Sequence, residues 1–104
     1  MREVYIKIEG RVQGIGYRRW AVAKALEIGG ISGWVRNEDD GSVEILMRGE
    51  EKKIDEMLVA CYKGPMFARV DKISFIPSSI TFIRVNKSED VDVIHLVSTS
   101  LLCL

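Results

Sequence analysis

A glycine-rich string near the N-terminus contains the residues best suited to binding an anion. It reads GRVQGIGYRR over residues 10–19 and separates a predicted strand from the predicted start of a helix. Gly14 and Gly16 permit positive φ angles, so successive backbone N–H groups can converge at the positive end of the helix dipole. Arg18 follows in the first helical turn, where its planar guanidinium matches the oxygen atoms of a phosphoryl group. This combination favours an anion site.

Two other interpretations of the glycines compete with the anion site. The glycines alone are more typical of a plain tight turn, and only the adjacent helix start and Arg18 favour an anion. Nucleotide-binding motifs fit poorly because no Lys-Ser/Thr pair follows the loop, and Arg19 stands where a dinucleotide fingerprint starting at Gly14 requires its third glycine. The string thus matches neither of these nucleotide-binding loops.

An asparagine at the end of a predicted strand is the second candidate. Asn37 closes the string GWVRN at residues 33–37, and DGSVE follows at residues 40–44. Asparagine at such a position is commonly only a turn residue. Its carboxamide nevertheless supplies a donor and an acceptor, which suits it to holding a water molecule if the fold brings it to the glycine loop.

Five nearby side chains have less specific interpretations. Arg11, Arg19 and Arg36 either strengthen the positive field at the mouth of the site or are solvated surface charges. Tyr17 and Trp34 are interpreted as core or pocket-wall residues rather than as groups that stack on a ligand.

Residues for other catalytic mechanisms are scarce. The only histidine, His95, lies far along the chain from both strings and is interpreted as a surface or strand residue. No Ser/His/Asp arrangement or cluster of metal ligands accompanies it. Cys61 and Cys103 lack metal-ligand spacing and are interpreted as a buried small hydrophobe and a tail residue. The sequence therefore predicts neither a metal nor a cofactor.

Apolar side chains alternate with polar ones in several short stretches, and this pattern predicts half-buried strands. Asp40–Gly41 lies between two of them and supplies the turn of a β-hairpin. The predicted strands cover about residues 4–8, 31–35, 43–47 and 67–76.

Two segments between those strands have the composition or spacing of helices. The alanine-rich run from residue 17 to residue 28 predicts a helix that Gly29–Gly30 ends. Apolar residues at i, i+3, i+4 and i+7 from Ile54 predict a second helix, which ends at Gly64–Pro65.

The order strand, helix, strand, strand, helix, strand (βαββαβ) predicts two split βαβ units with both helices on one face of an antiparallel sheet. This is the ferredoxin-like α/β sandwich of the α+β class. Right-handed crossovers make the first two strands parallel, with the third between them. The glycine loop and Asn37 are then expected to be neighbours, because each follows the C-terminal end of one of those two strands.

Length and composition indicate one soluble globular domain. The chain has 104 residues, of which 47% are hydrophobic and 29% charged, enough for a single core. No apolar run approaches the roughly 20 residues that span a bilayer, and the N-terminus lacks the apolar stretch of a signal peptide. We therefore expect a cytoplasmic protein without a membrane anchor.

Charge excludes one class of partner and favours another. The 15 basic and 15 acidic side chains cancel, which argues against general nucleic-acid binding. Residues 1–37 nevertheless contain seven basic and three acidic side chains. This excess either draws an anion to the N-terminal third or reflects only solvated faces of uneven charge.

The strings GRVQGIGYR and GWVRNEDDGSVE, with the later pattern AxVDK at residues 68–72, resemble the acylphosphatase family. The resemblance covers about residues 3–76 and implies the same α/β sandwich. In that family, backbone amides of the loop bind the phosphate, an arginine assists and an asparagine orients the attacking water. By this resemblance the catalytic side chains are those of Arg18 and Asn37. The phosphate-binding loop comprises Gln13, Gly14, Ile15, Gly16, Tyr17 and Arg18.

The resemblance implies hydrolysis of small-molecule acyl phosphates by in-line attack of water, without a metal. An acyl phosphate expels a carboxylate whose conjugate acid has a pKa of about 4, so the leaving group needs no general acid. The alternative is a non-catalytic module that binds an anion or carbamoyl phosphate, like the acylphosphatase-like part of much longer carbamoyl-transferring maturation proteins. An RNA-binding sheet is disfavoured because residues 42–47 contain no aromatic side chain.

The last quarter of the chain departs from the resemblance. We predict a single domain over residues 1–104 in which residues 77–104 are an atypical C-terminal extension. Two β-rich stretches at residues 80–85 and 91–99 precede an apolar end. They suit pairing with a sheet edge or with another subunit and are not expected to contribute to catalysis. A monomer is the expected state, with a dimer through this tail as the alternative.

Overall fold

The helices and strands follow the order predicted from the sequence. The computed structural model of the chain describes residues 1–77 and 91–94. The βαββαβ order is confirmed within these ranges, and a short fifth strand follows it. The elements are β1 (Arg2–Arg11), α1 (Tyr17–Ile28), β2 (Ser32–Asn37), β3 (Val43–Gly49), α2 (Glu51–Lys63), β4 (Arg69–Phe75) and β5 (Val91–Ile94).

The strands form one antiparallel sheet in the order β4-β1-β3-β2-β5. Because β3 pairs antiparallel with both β1 and β2, those two strands run parallel to each other, as predicted for a ferredoxin-like sandwich. Val43, the first residue of β3, lies opposite Ile8 of β1 and opposite Asn37 of β2. The loop after β1 and the turn after β2 therefore leave the sheet at the same end.

One face of the sheet packs against both helices and forms the core. Successive side chains of a strand point to opposite faces, so alternate residues such as Ile6 and Ile45 are completely buried against the helices. Each helix buries one stripe of side chains against the sheet. The stripe of α1 consists of Tyr17, Ala21 and Ala25, and that of α2 of Ile54, Met57 and Cys61.

A buried hydrogen bond joins the two helices. Tyr17 Oη donates to the backbone carbonyl of Cys61 at 2.7 Å, and the Tyr17 ring packs edge to face against Trp20. Cys61 is completely buried, as expected, and this burial raises the pKa of its thiol to about 12. The thiol is therefore protonated at neutral pH and is no nucleophile.

The other face of the sheet contains a buried ionic cluster. Arg36 of β2 lies opposite Glu44 of β3 in the register, and their side chains are 3% and 1% exposed. Arg36 Nη2 lies 3.3 Å from Glu44 Oε1, and Arg36 Nε lies 2.8 Å from Glu38 Oε2. Tyr5 Oη also donates a hydrogen bond to Glu44, and the Arg36 guanidinium stacks 4.8 Å from the ring centroid of Trp34.

This cluster corrects the sequence-based interpretation of Arg36. The side chain is neither a source of positive field at an anion site nor a solvated charge, because burial and two carboxylates hold it within the sheet. Trp34 is 8% exposed, in agreement with its interpretation as a core residue.

The C-terminal extension adds an edge strand. β5 pairs antiparallel with β2, with Ile94 opposite Gly33 and Val91 opposite Arg36. Pairing of part of the extension with a sheet edge is thus confirmed. The predicted strand at residues 80–85, together with His95 and the apolar end, lies outside the described residues. No helix in the described ranges is long and apolar enough to cross a membrane.

Removal of the Glu44 carboxylate is expected to destabilise the fold strongly. Glu44→Ala leaves the buried Arg36 charge with fewer partners, which costs roughly 3 kcal/mol of unfolding free energy, measurable by urea denaturation. Asp55→Ala is the matched control, because the Arg2–Asp55 pair at 2.7 Å is exposed and should contribute less than about 1 kcal/mol. Equal losses in the two variants would contradict a structural role for the buried cluster.

Candidate active site

A cleft of about 760 Å³ opens where α1 begins, a volume within the usual range of small-molecule sites. Its walls include Gly14, Gly16, Arg18 and Asn37. The structure therefore brings together the two candidates that the sequence singled out from separate strings. The juxtaposition follows from the strand register, which sends the glycine loop and the β2–β3 turn to the same end of the sheet.

Both glycines of the glycine loop (residues 13–18) have the positive φ angles that an anion nest uses. Gly14 has φ of 77° and Gly16 has φ of 84°. A Cβ atom at either position would meet no neighbouring atom within 4 Å, so the left-handed conformation, and not crowding, favours glycine at both. The open side of the loop allows close approach of a ligand to the backbone.

The start of α1 places its first backbone N–H groups beside this loop. Gly16 is the N-cap and provides no side-chain cap, and Trp20 N–H donates to Gly16 O at 2.9 Å in the first helical hydrogen bond. The N–H groups of the first helical turn precede this bond and lie at the positive end of the helix dipole. The first turn also contains no acidic side chain to neutralise the helix dipole.

The arginines near the loop have different placements. Arg18 is half-buried in the first turn of α1 and lines the cleft, and the exposed Arg19 lines it as well. Arg11 is exposed and instead lines a second surface depression together with Arg69. Of the three accessory arginines, Arg19 is therefore the one that the structure brings to the cleft.

Asn37 is oriented towards the cleft by the pleat of the sheet. It is the last residue of β2 and lies two residues after the buried Val35, so the two side chains are on the same, helix-covered face. Arg36 and Glu38, on either side of Asn37, form their ion pair within the cluster on the other face. Asn37 therefore faces the cleft from the end of β2, and the residues on either side of it are held in place by their ion pair.

Gln13 links the glycine loop to the turn that follows Asn37. Its Nε2 atom donates to Glu38 O at 2.7 Å and to Ser42 O at 2.9 Å. These carbonyls also accept the hydrogen bonds that close the turn, from Gly41 N–H and from Glu38 N–H respectively. The Gln13 side chain thus ties the loop to the turn and is not directed to the cleft.

The side chains of Ile15 and Tyr17 contribute to packing, whereas the role predicted for these two loop residues in phosphate binding is that of their backbone N–H groups. Ile15 is half-buried and packs against the core, and it does not line the described part of the cleft. Tyr17 reaches the cleft wall, but its phenol is buried and bonded to the Cys61 carbonyl. Burial raises the pKa of Tyr17 far above its usual value of 10, so the phenol is not an acid near neutral pH.

An exposed ion pair braces the β2–β3 turn. Lys7 Nζ lies 2.7 Å from Asp40 Oδ2, and Asp40 Oδ1 accepts hydrogen bonds from the Ser42 amide and hydroxyl at 3.0 and 2.6 Å. The hydrogen bond with Lys7, followed by those from Ser42, lowers the pKa of Asp40 below its usual 3.8. A charged Asp40 therefore stabilises the turn at neutral pH. This stabilisation is lost as the pH falls from 3.8, the usual pKa of the carboxyl, through its lowered pKa in the folded protein.

Several acidic side chains of the described ranges lie in turns or at a helix start. No three His, Cys, Asp or Glu side chains there converge as metal ligands. Glu38 and Asp40 are turn residues held in ion pairs, and Glu50 and Glu51 lie at the start of α2, as their positions in the sequence indicate.

A glycine loop at a helix start, an arginine and an asparagine thus share one cleft on a ferredoxin-like sandwich. The acylphosphatase family model matches residues 4–84 and so continues beyond residue 76, where the resemblance was expected to end. The chain belongs to the acylphosphatase family.

Individual relatives agree with this assignment. The chain is 44% identical over 80 residues to the acylphosphatase of Nitrobacter winogradskyi, covering 77% of this chain and 80% of the relative. It is 46% identical over 77 residues to that of Rhodospirillum rubrum, covering 74% and 84%. The crystal structure of Bacillus subtilis acylphosphatase matches with a TM-score of 0.70 and 38% identity, over 73% of this chain and 83% of that one. An acylphosphatase structure from Coxiella burnetii matches with a TM-score of 0.67 and 30% identity, over 71% and 77%.

Sequence reasoning missed two features of the site. The first is the cross-link from Gln13, which needs knowledge of the distance between two loops that are 25 positions apart. The second is that Val22, Ala23 and Leu26 of α1 line the same cleft. Their spacing from Arg19, at i+3, i+4 and i+7, is the signal that could have revealed them.

Loss of the Gln13 amide is expected to loosen the β2–β3 turn. Gln13→Glu keeps the size of the side chain but removes both donors, each worth about 1 kcal/mol. Amide hydrogen exchange at Gly41 and Glu38 should then accelerate roughly tenfold through local opening.

The Gly29 amide, which bonds to Ala25 O at the far end of α1, serves as the internal control for this experiment. Its exchange should change less than that of the turn amides. Unchanged exchange at Gly41 and Glu38 would show that the Gln13 bonds do not hold the turn.

Proposed function

We propose that this protein is an acylphosphatase that hydrolyses the carboxyl–phosphate bond of small acyl phosphates to a carboxylate and inorganic phosphate. The observation that carries this proposal is the shared cleft of Arg18, Asn37 and the glycine loop in a chain of the acylphosphatase family. Phosphoryl transfer to water depends mainly on positioning the reactants and on stabilising charge. The glycine loop, Arg18 and Asn37 each supply one of these functions.

The glycine loop and Arg18 bind the phosphoryl group. Backbone N–H groups of residues 13–18 converge on the anion at the positive end of α1, and the Arg18 guanidinium contacts its oxygens from the first helical turn. These donors are set by the backbone before substrate arrives, so little reorganisation accompanies the transfer. They stabilise the charge on the phosphoryl oxygens in the ground state and in the transition state.

Asn37 orients the attacking water. Its carboxamide oxygen can accept a hydrogen bond from the water, which directs the water lone pair at phosphorus. Its place at the end of β2 is fixed by the pairing of Asn37 with Val43 of β3 and by the hydrogen bonds from Gln13 to the following turn. Gln13 is thus a positioning residue, which acts on Asn37 through the backbone of the turn.

The reaction needs no general acid. The water oxygen forms a bond to phosphorus while the phosphorus–acyl oxygen bond breaks, and the electron pair leaves on a carboxylate with a conjugate-acid pKa of about 4. The proton of the water passes to a phosphoryl oxygen of the substrate itself. A phosphate monoester would expel a far more basic alkoxide, so this machinery is selective for acyl phosphates.

Three further properties complete the proposal. The reaction proceeds without a metal or another cofactor, because the backbone amides and Arg18 supply the positive charge. The protein acts in the cytoplasm as a monomer, without nucleic-acid or membrane partners. A non-catalytic carbamoyl-phosphate-binding module is not favoured, since the relatives that match along most of their length are named as acylphosphatases.

The direct test is release of inorganic phosphate from benzoyl phosphate in the presence of a chelator. The wild-type protein should release phosphate at an undiminished rate, and Arg18→Ala should lower kcat/KM by roughly a hundredfold or more, the usual loss for one preorganised donor. Arg48→Ala is the matched control, because Arg48 is an exposed arginine on β3 away from the cleft. Near-normal turnover of Arg18→Ala would refute its role, and loss of activity with chelator would refute a metal-free reaction.

Substitution of Asn37 should separate turnover from phosphate binding. Asn37→Ala removes the water-orienting carboxamide, so kcat should fall by about a hundredfold while the inhibition constant of inorganic phosphate changes less than about threefold. Ser32→Ala, at the other end of β2, provides the control for effects on the strand itself. If phosphate inhibition weakens as much as kcat falls, Asn37 binds phosphate instead of orienting water.

A further inference from the structure

The cleft extends beyond the phosphate-binding residues along one side of α1. Val22, Ala23 and Leu26 line it together with Arg18 and Asn37. Leu26 is 51% exposed although it lies within a cleft, and Ala23 is also exposed. The three α1 side chains form an apolar surface, here called the α1 wall. Val22 also packs partly against the core, whereas Ala23 and Leu26 are exposed.

The α1 wall begins beside the phosphate-binding end of the cleft and leads away from it. Arg19, Val22, Ala23 and Leu26 are spaced i, i+3, i+4 and i+7 and therefore lie along one side of the helix. With a rise of 1.5 Å per residue, Leu26 lies about 10 Å further along the helix axis than Arg19. The cleft volume of about 760 Å³ also exceeds what a phosphoryl group alone occupies.

Charged side chains adjacent to the wall do not interrupt it. Lys24 and Glu27 are the charged residues of α1 nearest to Leu26 in sequence, and they pair with each other at 3.5 Å. Neither lines the described part of the cleft. One end of the cleft is therefore positive, with Arg18 and the glycine loop, and the other end is apolar.

The geometry of phosphoryl transfer relates these two ends. In-line displacement requires the leaving acyl group to depart from phosphorus on the side opposite to the attacking water. With the water held at Asn37, the acyl group is directed away from the β2–β3 turn. The α1 wall likewise leads away from this end of the cleft.

We propose that the α1 wall is the binding site for the acyl portion of the substrate, which is an unbranched or aromatic apolar acyl group. This inference rests on the proposed function. Val22, Ala23 and Leu26 then act as specificity residues, since each methylene of the substrate that covers them leaves water. Acyl groups that end in a carboxylate or another charge lose this contribution and bind more weakly.

The proposal predicts a chain-length dependence of hydrolysis. Complete burial of one methylene favours binding about fourfold, and contact with a half-exposed wall should give about half of that free energy, or roughly twofold per methylene. From acetyl through butyryl to hexanoyl phosphate the acyl group gains four methylenes, so kcat/KM should rise by about sixteenfold in total. Leu26→Ala should remove most of this rise and lower hexanoyl phosphate hydrolysis about fivefold, with acetyl phosphate hydrolysis changed less than twofold.

Three controls separate the wall from other effects. Leu26→Met keeps an apolar side chain of similar volume and should restore the chain-length dependence. Val59→Ala removes an apolar residue of α2 that is 63% exposed and lies outside the described cleft walls, so it should leave the chain-length dependence unchanged. The inhibition constant of inorganic phosphate, which has no acyl group, should be the same in all variants.

The outcomes distinguish this inference from the proposed function. Equal kcat/KM for acetyl and hexanoyl phosphate in the wild-type protein would overturn the acyl site while leaving the hydrolase activity in place. A chain-length dependence that persists in Leu26→Ala would overturn the assignment of the site to the α1 wall. Failure to hydrolyse any acyl phosphate would overturn the proposed function itself.

Discussion

The pairing of β3 with both β1 and β2 is the constraint on which the site depends. Because Val43 lies opposite Ile8 on one side and Asn37 on the other, the ends of β1 and β2 are held about 10 Å apart, two strand spacings. A slip of one residue would turn Asn37 to the other face of the sheet. The register that builds the core therefore also determines which side chain faces the glycine loop.

The two faces of the sheet are stabilised by different interactions. The face that packs on the helices contains the apolar core and, at its end, the polar Asn37. The opposite face contains the Arg36 cluster, which spans β2 and β3 and joins the residues on both sides of Asn37. Buried ion pairs of this kind contribute little net stability relative to apolar packing, but they oppose alternative registers because misaligned charges would remain buried without partners. The cluster and the Gln13 bonds thus restrict the same short segment from different directions.

Most of the fold could be predicted from the sequence because its periodicities are local. The alanine-rich helix begins and ends where the flanking glycines indicate, and the hairpin around Asp40–Gly41 follows from alternation and turn residues. Arg18 and Asn37 could be predicted to lie close together because right-handed crossovers determine the strand order. Arg36 was misinterpreted because a charge in an alternating strand does not reveal whether the polar face is covered. The Gln13 bonds depend on distances between loops that no local pattern encodes.

Helix α1 begins at Gly16 without a side-chain cap, and a change that would stabilise the helix there would interfere with the proposed site. A serine or aspartate at an N-cap usually stabilises a helix by about 1 kcal/mol, because its side chain accepts hydrogen bonds from the first N–H groups. At Gly16 such a side chain would occupy the donors that face the cleft and would have to adopt a φ of 84°. Greater heat resistance would therefore have to come from other positions, such as the helix surfaces or the edge strands. Under the proposed function, residue 16 is therefore a position where thermal robustness and turnover are in conflict.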